Sequence, residues 1–302
     1  MKRIAGYIKE ALRAGYKPLL ICAPADDDGL LEMLPTLCPM VVPMLVGNEE
    51  EIQRSLAHLN LDTRYYEVVH EPDRKRACEK AIDEALRDPS AILMEGGRGR
   101  PLQEALRKNR HTAQLFSNAS HITWVDDPHR KRSFMVADTL IHPQPDLKDK
   151  IAILNTVLSV ARRLESETPK VVALAALEYV NPSIPSTVDA AVLSKMAERH
   201  QFGDTLVEGP LDIDCALSRQ ACERKRITSL LEGNVDIFLV PDVHSGQSFI
   251  QFLSCFGRMG LCGMIAGLPV PVIVPMPYDT SSGRLASAAI SSLLSRQGVN
   301  YA

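Results

Sequence analysis

The chain has no excess of positive charge. Its 34 Lys and Arg residues stand against 37 Asp and Glu, a formal net charge of −3 at pH 7. No surplus of cations is therefore available to neutralise a phosphate backbone, which excludes nucleic acid as the main partner and leaves room only for a local basic pocket. No apolar run approaches the length that spans a bilayer. The opening stretch MKRIAGYIKEALRAGYKP carries Lys9, Glu10 and Arg13, so it lacks an uninterrupted signal-peptide core and reads as an amphipathic helix. Metal-binding spacing is absent too. The seven cysteines (Cys22, Cys38, Cys78, Cys215, Cys222, Cys255 and Cys262) include no Cys-x-x-Cys pair, and the eight histidines show no HExxH pattern. Neither a zinc site nor a dithiol redox site is expected, and the scattered thiols read as reduced cysteines of a cytosolic protein. There is no repeat at a solenoid period and no low-complexity segment.

What is present is an alternation of strands and helices. Hydrophobic residues at 45% and charged residues at 24% suit an ordinary globular protein, and 302 residues exceed what one core usually holds, so two domains are expected. Short apolar runs at 17–24, 40–47, 90–97, 170–177, 205–209, 235–242 and 269–275 read as strands, most followed by helical spacing. SHITWVDDPHRKRSFMVAD (120–138) reads as two adjacent strands joined by a charged turn. IHPQPDLKDK (141–150) has two prolines before a long helix, which places a boundary there. The expected domains are 1–142 together with 280–302, and 143–279. Continuous Val/Ile/Leu runs joined by helices imply strands covered on both faces, hence mostly parallel sheet in an α/β architecture.

Ligands of open α/β sheets sit beyond the carboxyl ends of the strands, so the strand exits carry the functional reading. GGRGRP (96–101) offers Gly96, Arg98 and Arg100; it has neither Walker nor dinucleotide-fingerprint spacing, and it reads equally as a phosphate loop or a solvated turn. Ser183, Ser186 and Thr187 precede a clear helix, where hydroxyls and free N–H groups form an anion site, although capping alone would choose the same residues. VEGPLDIDCALS (207–218) breaks at Gly209-Pro210, with Pro210 suited to a first helical turn and Asp212 and Asp214 near its positive end. Asp242, His244, Ser245 and Gly246 form a further exit. A Ser-His-Asp triad is disfavoured there because near-adjacent residues of one loop are poorly placed for a relay.

Several exits together resemble the phosphate acetyl/butyryltransferases, the butyryl branch most closely. The resemblance rests on ALEYVNPSIPSTVDAAVLSKM, VEGPLDIDCALS, VDIFLVPDVHSG and PVPVIVP, whose order and spacing agree across 171–275, with a weaker match back through AILMEGG. It implies two three-layer α/β/α domains of the isocitrate/isopropylmalate dehydrogenase type, with mostly parallel sheets and an interdomain cleft. It implies a cytoplasmic homodimer or higher homo-oligomer that moves a short acyl group reversibly between coenzyme A and phosphate. Coenzyme A is then a substrate, acyl-CoA and acyl phosphate are its acylated partners, and no cofactor or metal is held permanently. Asp214 falls on the family's aspartate and would serve catalysis with Arg284. Gly96, Arg98, Arg100, Ser183, Ser186, Thr187, Gly209, Pro210, Asp242, Ser245 and Gly246 would bind substrate. Two positions depart from the pattern: Glu95 stands where a lysine is expected, and Met276-Pro277 where Ser-Arg is expected. Proline cannot grip phosphate as an arginine fork does, so a non-catalytic relative that binds coenzyme A or a phosphorylated metabolite is the alternative. A metal-dependent dehydrogenase on the same architecture would need an aspartate cluster and a nicotinamide site, and the sequence displays neither.

Overall fold

The computed structural model describes residues 1–97, 99–164, 168–276 and 278–295. The strands are β1 (Leu19–Ala23), β2 (Val42–Gly47), β3 (Glu67–His70), β4 (Ile92–Glu95), β5 (Ser120–Asp127), β6 (Arg132–Ala137), β7 (Lys170–Leu174), β8 (Leu206–Leu211), β9 (Ile237–Leu239), β10 (Gly260–Ala266) and β11 (Val272–Ile273). The helices are α1 (Ile4–Arg13), α2 (Asp28–Leu31), α3 (Leu34–Leu37), α4 (Glu49–His58), α5 (Arg74–Arg87), α6 (Pro101–Lys108), α7 (Leu147–Leu164), α8 (Pro185–Glu198), α9 (Ile213–Leu217), α10 (Arg219–Lys225), α11 (Val243–Cys255) and α12 (Ser281–Ser295). Among the described residues no helix is long and apolar enough to cross a membrane. Two compact units result. The first comprises Ala5–Phe116 with Cys262–Ala302, the second Met1–Ile4 with Ser117–Leu261.

In the first unit the strand order is β3-β2-β1-β4-β11-β10, parallel throughout except for β10 against β11. All four residues of β4 and the last four of β1 are buried, as strands covered on both faces must be. Register pairs Ala23 with Glu95 and Met94 with Ile273, so β1, β4 and β11 leave the sheet side by side. Helix α12 packs on β4 and β11 with ten of its 15 residues buried, serines among them. Those hydroxyls are satisfied: Ser287 Oγ donates to Gly283 O and accepts from Gly263 N, and Ser292 Oγ donates to Ala289 O.

In the second unit the order is β5-β6-β9-β7-β8, with only the β5–β6 hairpin antiparallel. The hairpin is the pair of strands read from 120–138. Its sheet partner is β9, through Met135–Ile237 to Ala137–Leu239, so residues 117–142 belong with the second unit rather than the first. Likewise β11 pairs with β4, which puts 262–279 in the first unit rather than the second. Local patterning marks a strand but not the distant strand it pairs with. Strand β10 was not anticipated, and Gly257, Gly260, Gly263 and Gly267 in and around it dilute its apolar run. Pro210 does not open a helix. It lies inside β8, and Asp212 caps α9 instead.

The core of this unit holds the lone tryptophan, Trp124, and the Phe134–Phe238 pair with ring centroids 4.9 Å apart. Its polar counterpart is Asp138, just past β6 and 2% exposed. The carboxylate accepts from the backbone N–H groups of His121 (3.0 Å), Leu140 (3.0 Å), Ile141 (3.0 Å) and His142 (2.7 Å). Gly246 in the first turn of α11 comes so near that an added Cβ would stand 3.2 Å from Asp138 O and 3.0 Å from Val240 Cγ2. Gln247 Nε2 donates to Thr139 O. Strand start and strand exit are thus fastened at one carboxylate, and the start of α11 packs against the backbone beside it.

Asp138→Asn keeps the shape but puts an N–H₂ group among four donors. Stranding buried donors typically costs about 1–3 kcal/mol each. We expect a loss of about 2–3 kcal/mol, read as a fall of roughly 4–12 °C in Tm, whereas the exposed Asp204→Asn should change stability by less than about 0.5 kcal/mol. Equal melting temperatures for the two variants would show that Asp138 does not hold this corner.

Candidate active site

The exits of β1, β4 and β11 in the first unit enclose a cavity of about 400 Å³, lined by Asp27, Glu95, Gly96, Gly97, Gly99, Arg100, Pro275, Met276 and Arg284. Three of the expected site residues, Gly96, Arg100 and Arg284, meet there with Glu95 and Met276, two of the positions that depart from the family's pattern. Arg98 and Pro277 lie outside the described residues. Glycine is required at Gly96 because a Cβ would stand 2.6 Å from Leu30 Cδ2 and 2.7 Å from Pro24 O. Arg100 takes a left-handed backbone (φ 57°) just before α6. Among the described residues its guanidinium has one hydrogen-bond partner, Met276 Sδ at 3.9 Å, and no carboxylate pairs with it. Arg284 Nη1 lies 3.4 Å from Asp27 Oδ2. Asp279 accepts from Met276 N at 2.8 Å; burial pushes its carboxyl up to about 6, against the pull of that N–H and of Arg284.

Glu95 explains its own departure from the expected lysine. It is 2% exposed, and its two oxygens accept from Leu102 N (2.8 Å) and Gln103 N (3.4 Å), capping α6. A carboxylate here complements the positive end of the helix; a lysine could not accept these bonds. Burial pushes Glu95 up to about 7, opposed by the two N–H bonds and by the charges of Arg100 and Arg74. Beside it, Asp26 pairs with Arg74 at 2.7 Å.

In the second unit β6, β9, β7 and β8 run parallel with ends in register (Ala137–Leu239, Ala173–Leu239, Leu174–Leu211), so their exits share one edge. The remaining expected residues gather along it, but several are occupied with structure. Asp242 caps α11 by accepting from Ser245 N at 2.7 Å, and Gly246 is the close contact described above. Thr187 is fully buried; its hydroxyl accepts from Asn181 N and faces the carbonyls of Asn181 and Ile184. At Gly209 a Cβ would collide with Ala173 O at 2.6 Å, and Pro210 is buried in the same strand. Helix α8 begins without a side-chain cap, so the exposed Ser183 and half-buried Ser186 are not spent on capping. Ser245 is exposed.

Asp214 is exposed on α9, and its Oδ1 accepts from Lys225 Nζ at 2.7 Å. The same ammonium bonds Glu178 and Asp212, and these three carboxylates raise the lysine well above its usual range, Asp212 first. Lys225 in turn holds Glu178 below the usual carboxylate range. Donor atoms of Glu178, Asp212, Asp214 and Cys215 lie within 4.8 Å of one another, so an acidic cluster not apparent from the sequence does assemble, with a lysine as its cation. Burial pushes the Cys215 thiol up, away from reactivity. Nothing in the sequence announced Lys225, which meets Glu178 across 47 positions of chain. Asp27 and Asp279 were missed as well, though the DDD run directly after the first strand was a visible signal.

Residues 94–291, which include the exits of β4 and β11 and those of the second unit, match the model of the family described as phosphate acetyl/butaryl transferase. The chain is 31% identical over 253 residues to the phosphate butyryltransferase of Clostridium acetobutylicum, covering 83% of this chain and 84% of that protein. It is 31% identical over 294 residues to the phosphate acetyltransferase of Rickettsia felis, covering 95% and 84%. Its fold is similar to the crystal structure of a branched-chain phosphotransacylase from Enterococcus faecalis V583, with a TM-score of 0.75 and 24% identity over 91% of this chain and 99% of that one. With the family's pattern spanning about two thirds of the chain and relatives 31% identical over most of its length, this protein belongs to the phosphate acetyl/butaryl transferase family.

Proposed function

We propose that the protein transfers a short acyl group reversibly between coenzyme A and phosphate. The observation that carries this reading is a cavity in which Arg100 keeps an unspent guanidinium and Arg284 supplies a second, in a chain of this family. In the proposed reaction the thiolate of coenzyme A attacks the acyl carbonyl of the acyl phosphate, a C–S bond forms, and the C–O bond to phosphate breaks. Arg100 and Arg284 hold the phosphate and neutralise the charge it gains on leaving, with Arg98 as a further candidate cation. Asp214 accepts the thiol proton, since the thiolate is the nucleophile. In the reverse direction a phosphate oxygen attacks the thioester and the thiol leaves reprotonated.

Ser183, Ser186 and Ser245 offer hydroxyls to the substrate. Gly209, Pro210, Thr187, Asp242 and Gly246 act by holding the exits in shape. The protein works in the cytoplasm as a homodimer or higher homo-oligomer, with coenzyme A as a passing substrate and no resident cofactor.

The direct test is release of free thiol from acetyl-, propionyl- and butyryl-CoA on adding phosphate, followed with a thiol reagent. No release from any of the three would sink the proposal. Within an active enzyme, Arg100→Ala and Arg284→Ala should each raise KM for phosphate by roughly 10–100-fold, since a charge-assisted hydrogen bond is worth about 1.5–3 kcal/mol. The loss at Arg100 should persist in Arg100→Lys, which keeps the charge but not the fork.

Asp214→Asn should leave Tm nearly unchanged, because Glu178 and Asp212 still hold Lys225, while lowering kcat by about 10²–10⁴-fold. An unchanged kcat would reduce Asp214 to a residue that complements the start of α9.

A further inference from the structure

We propose that Glu95 couples anion binding in the first unit's cavity to uptake of one proton: the cavity admits its dianion with the Glu95 carboxyl protonated, and the ionised carboxylate repels it. This rests on the reading that the cavity takes phosphate.

The start of a helix is a natural seat for an anion. At α6 that seat is already filled from within, because Glu95 spends both oxygens on Leu102 N and Gln103 N while lining the cavity wall. An entering dianion therefore meets two guanidinium groups, Arg100 and Arg284, against two carboxylates, Glu95 and the Asp27 that already pairs with Arg284. With Glu95 ionised the four charges cancel. With Glu95 neutral these four described side chains carry one net positive charge. The protonated oxygen also becomes a donor to the anion, while the other still accepts from the helix.

Burial places this proton within ordinary reach, because it pushes Glu95 up to about 7. The sign follows directly. A carboxyl raised in this way is neutral below about 7 and charged above it, and a bound dianion favours the neutral form further. Affinity should be full on the acid side and decline as pH rises.

The neighbours do not reproduce this. The guanidinium groups of Arg74 on α5, Arg100 before α6 and Arg284 on α12 do not titrate in proteins. Cys22 on β1 and Cys78 on α5 are pushed up to about 12 by burial and stay neutral. Burial raises the Asp26 carboxyl as well, against the pull of its partner Arg74, and Asp27 pairs with Arg284. Asp279 is pushed up to about 6 by burial, one unit lower.

Sulfate is the probe, since it remains a dianion across the range. Calorimetric titration of the full chain with sodium sulfate should show affinity falling roughly eightfold from pH 6.5 to pH 8, the loss expected when a group near 7 must be protonated to bind. Titrations at pH 7 in two buffers of different ionisation enthalpy should reveal uptake of about half a proton per sulfate. Glu95→Gln, neutral at every pH, should bind sulfate with no such slope, and Asp279→Asn should keep it. A slope that survives Glu95→Gln, a wild type with neither slope nor proton uptake, or no sulfate binding at all would each overturn the proposal. If Glu95→Gln does not fold, proton uptake by the wild type decides alone. Proton-linked sulfate binding without thiol release would remove the acyl-transfer reading and leave this one standing. Thiol release with pH-independent sulfate affinity would do the reverse.

Discussion

Every backbone N–H that is removed from water must find an acceptor, and this chain meets the demand at its strand exits largely with carboxylates. Glu95 caps α6, Asp212 caps α9, Asp242 caps α11, and Asp138 gathers four N–H groups at the end of β6. Acidic side chains fit there because helix starts present positive partial charge. The consequence reaches the chemistry. The exits are already acidic, so in the proposed reaction anion binding falls on the few cations whose charge has not been spent internally. In the first unit that leaves Arg100 foremost, with Arg284 shared with Asp27.

The fold was legible wherever a strand is buried on both faces. β1, β4 and β7 are continuous apolar runs, and the β5–β6 hairpin was visible from its charged turn. Legibility failed where the decisive partner is far away in sequence. Nothing local to 120–138 says that β6 will lie beside β9, which is why the unit boundary falls at Phe116/Ser117 and not at the proline-rich stretch after 140. β8 misled for another reason. Gly209-Pro210 reads as a break, yet β8 stands at the end of its unit's strand order, where a missing N–H removes no ladder bond.

The site divides in the same way. Gly96, Arg100 and Arg284 could be picked out because ligands gather beyond strand exits, and they do share a cavity. Asp27 stood in a visible acidic run, but its pairing with Arg284, like the contacts of Asp279 and Lys225, is created only by the folded chain. Capping and binding also choose the same residue types, so sequence could not separate them at Thr187 or Asp242. Geometry separates them: both side chains are engaged in holding their own loops, whereas Ser183 and Ser186 are not spent on the cap of α8.

The acidic cluster around Lys225 adds a last constraint on the proposed chemistry. One ammonium faces three carboxylates, Glu178, Asp212 and Asp214, leaving the group with two negative charges in excess. Asp212 also spends one oxygen on Cys215 N, and Glu178 is less exposed than Asp214. Asp214 is the member with half its side chain open to solvent, 50% against 28% for Asp212 and 15% for Glu178. A proton arriving at Asp214 reduces an existing excess of negative charge and creates no new uncompensated one. Lys225 remains tied to the other two carboxylates while it does so, and the exits of β7 and β8 keep their places. The position of Asp214 in the cluster, more than its carboxylate alone, supports the proposal that it accepts the thiol proton.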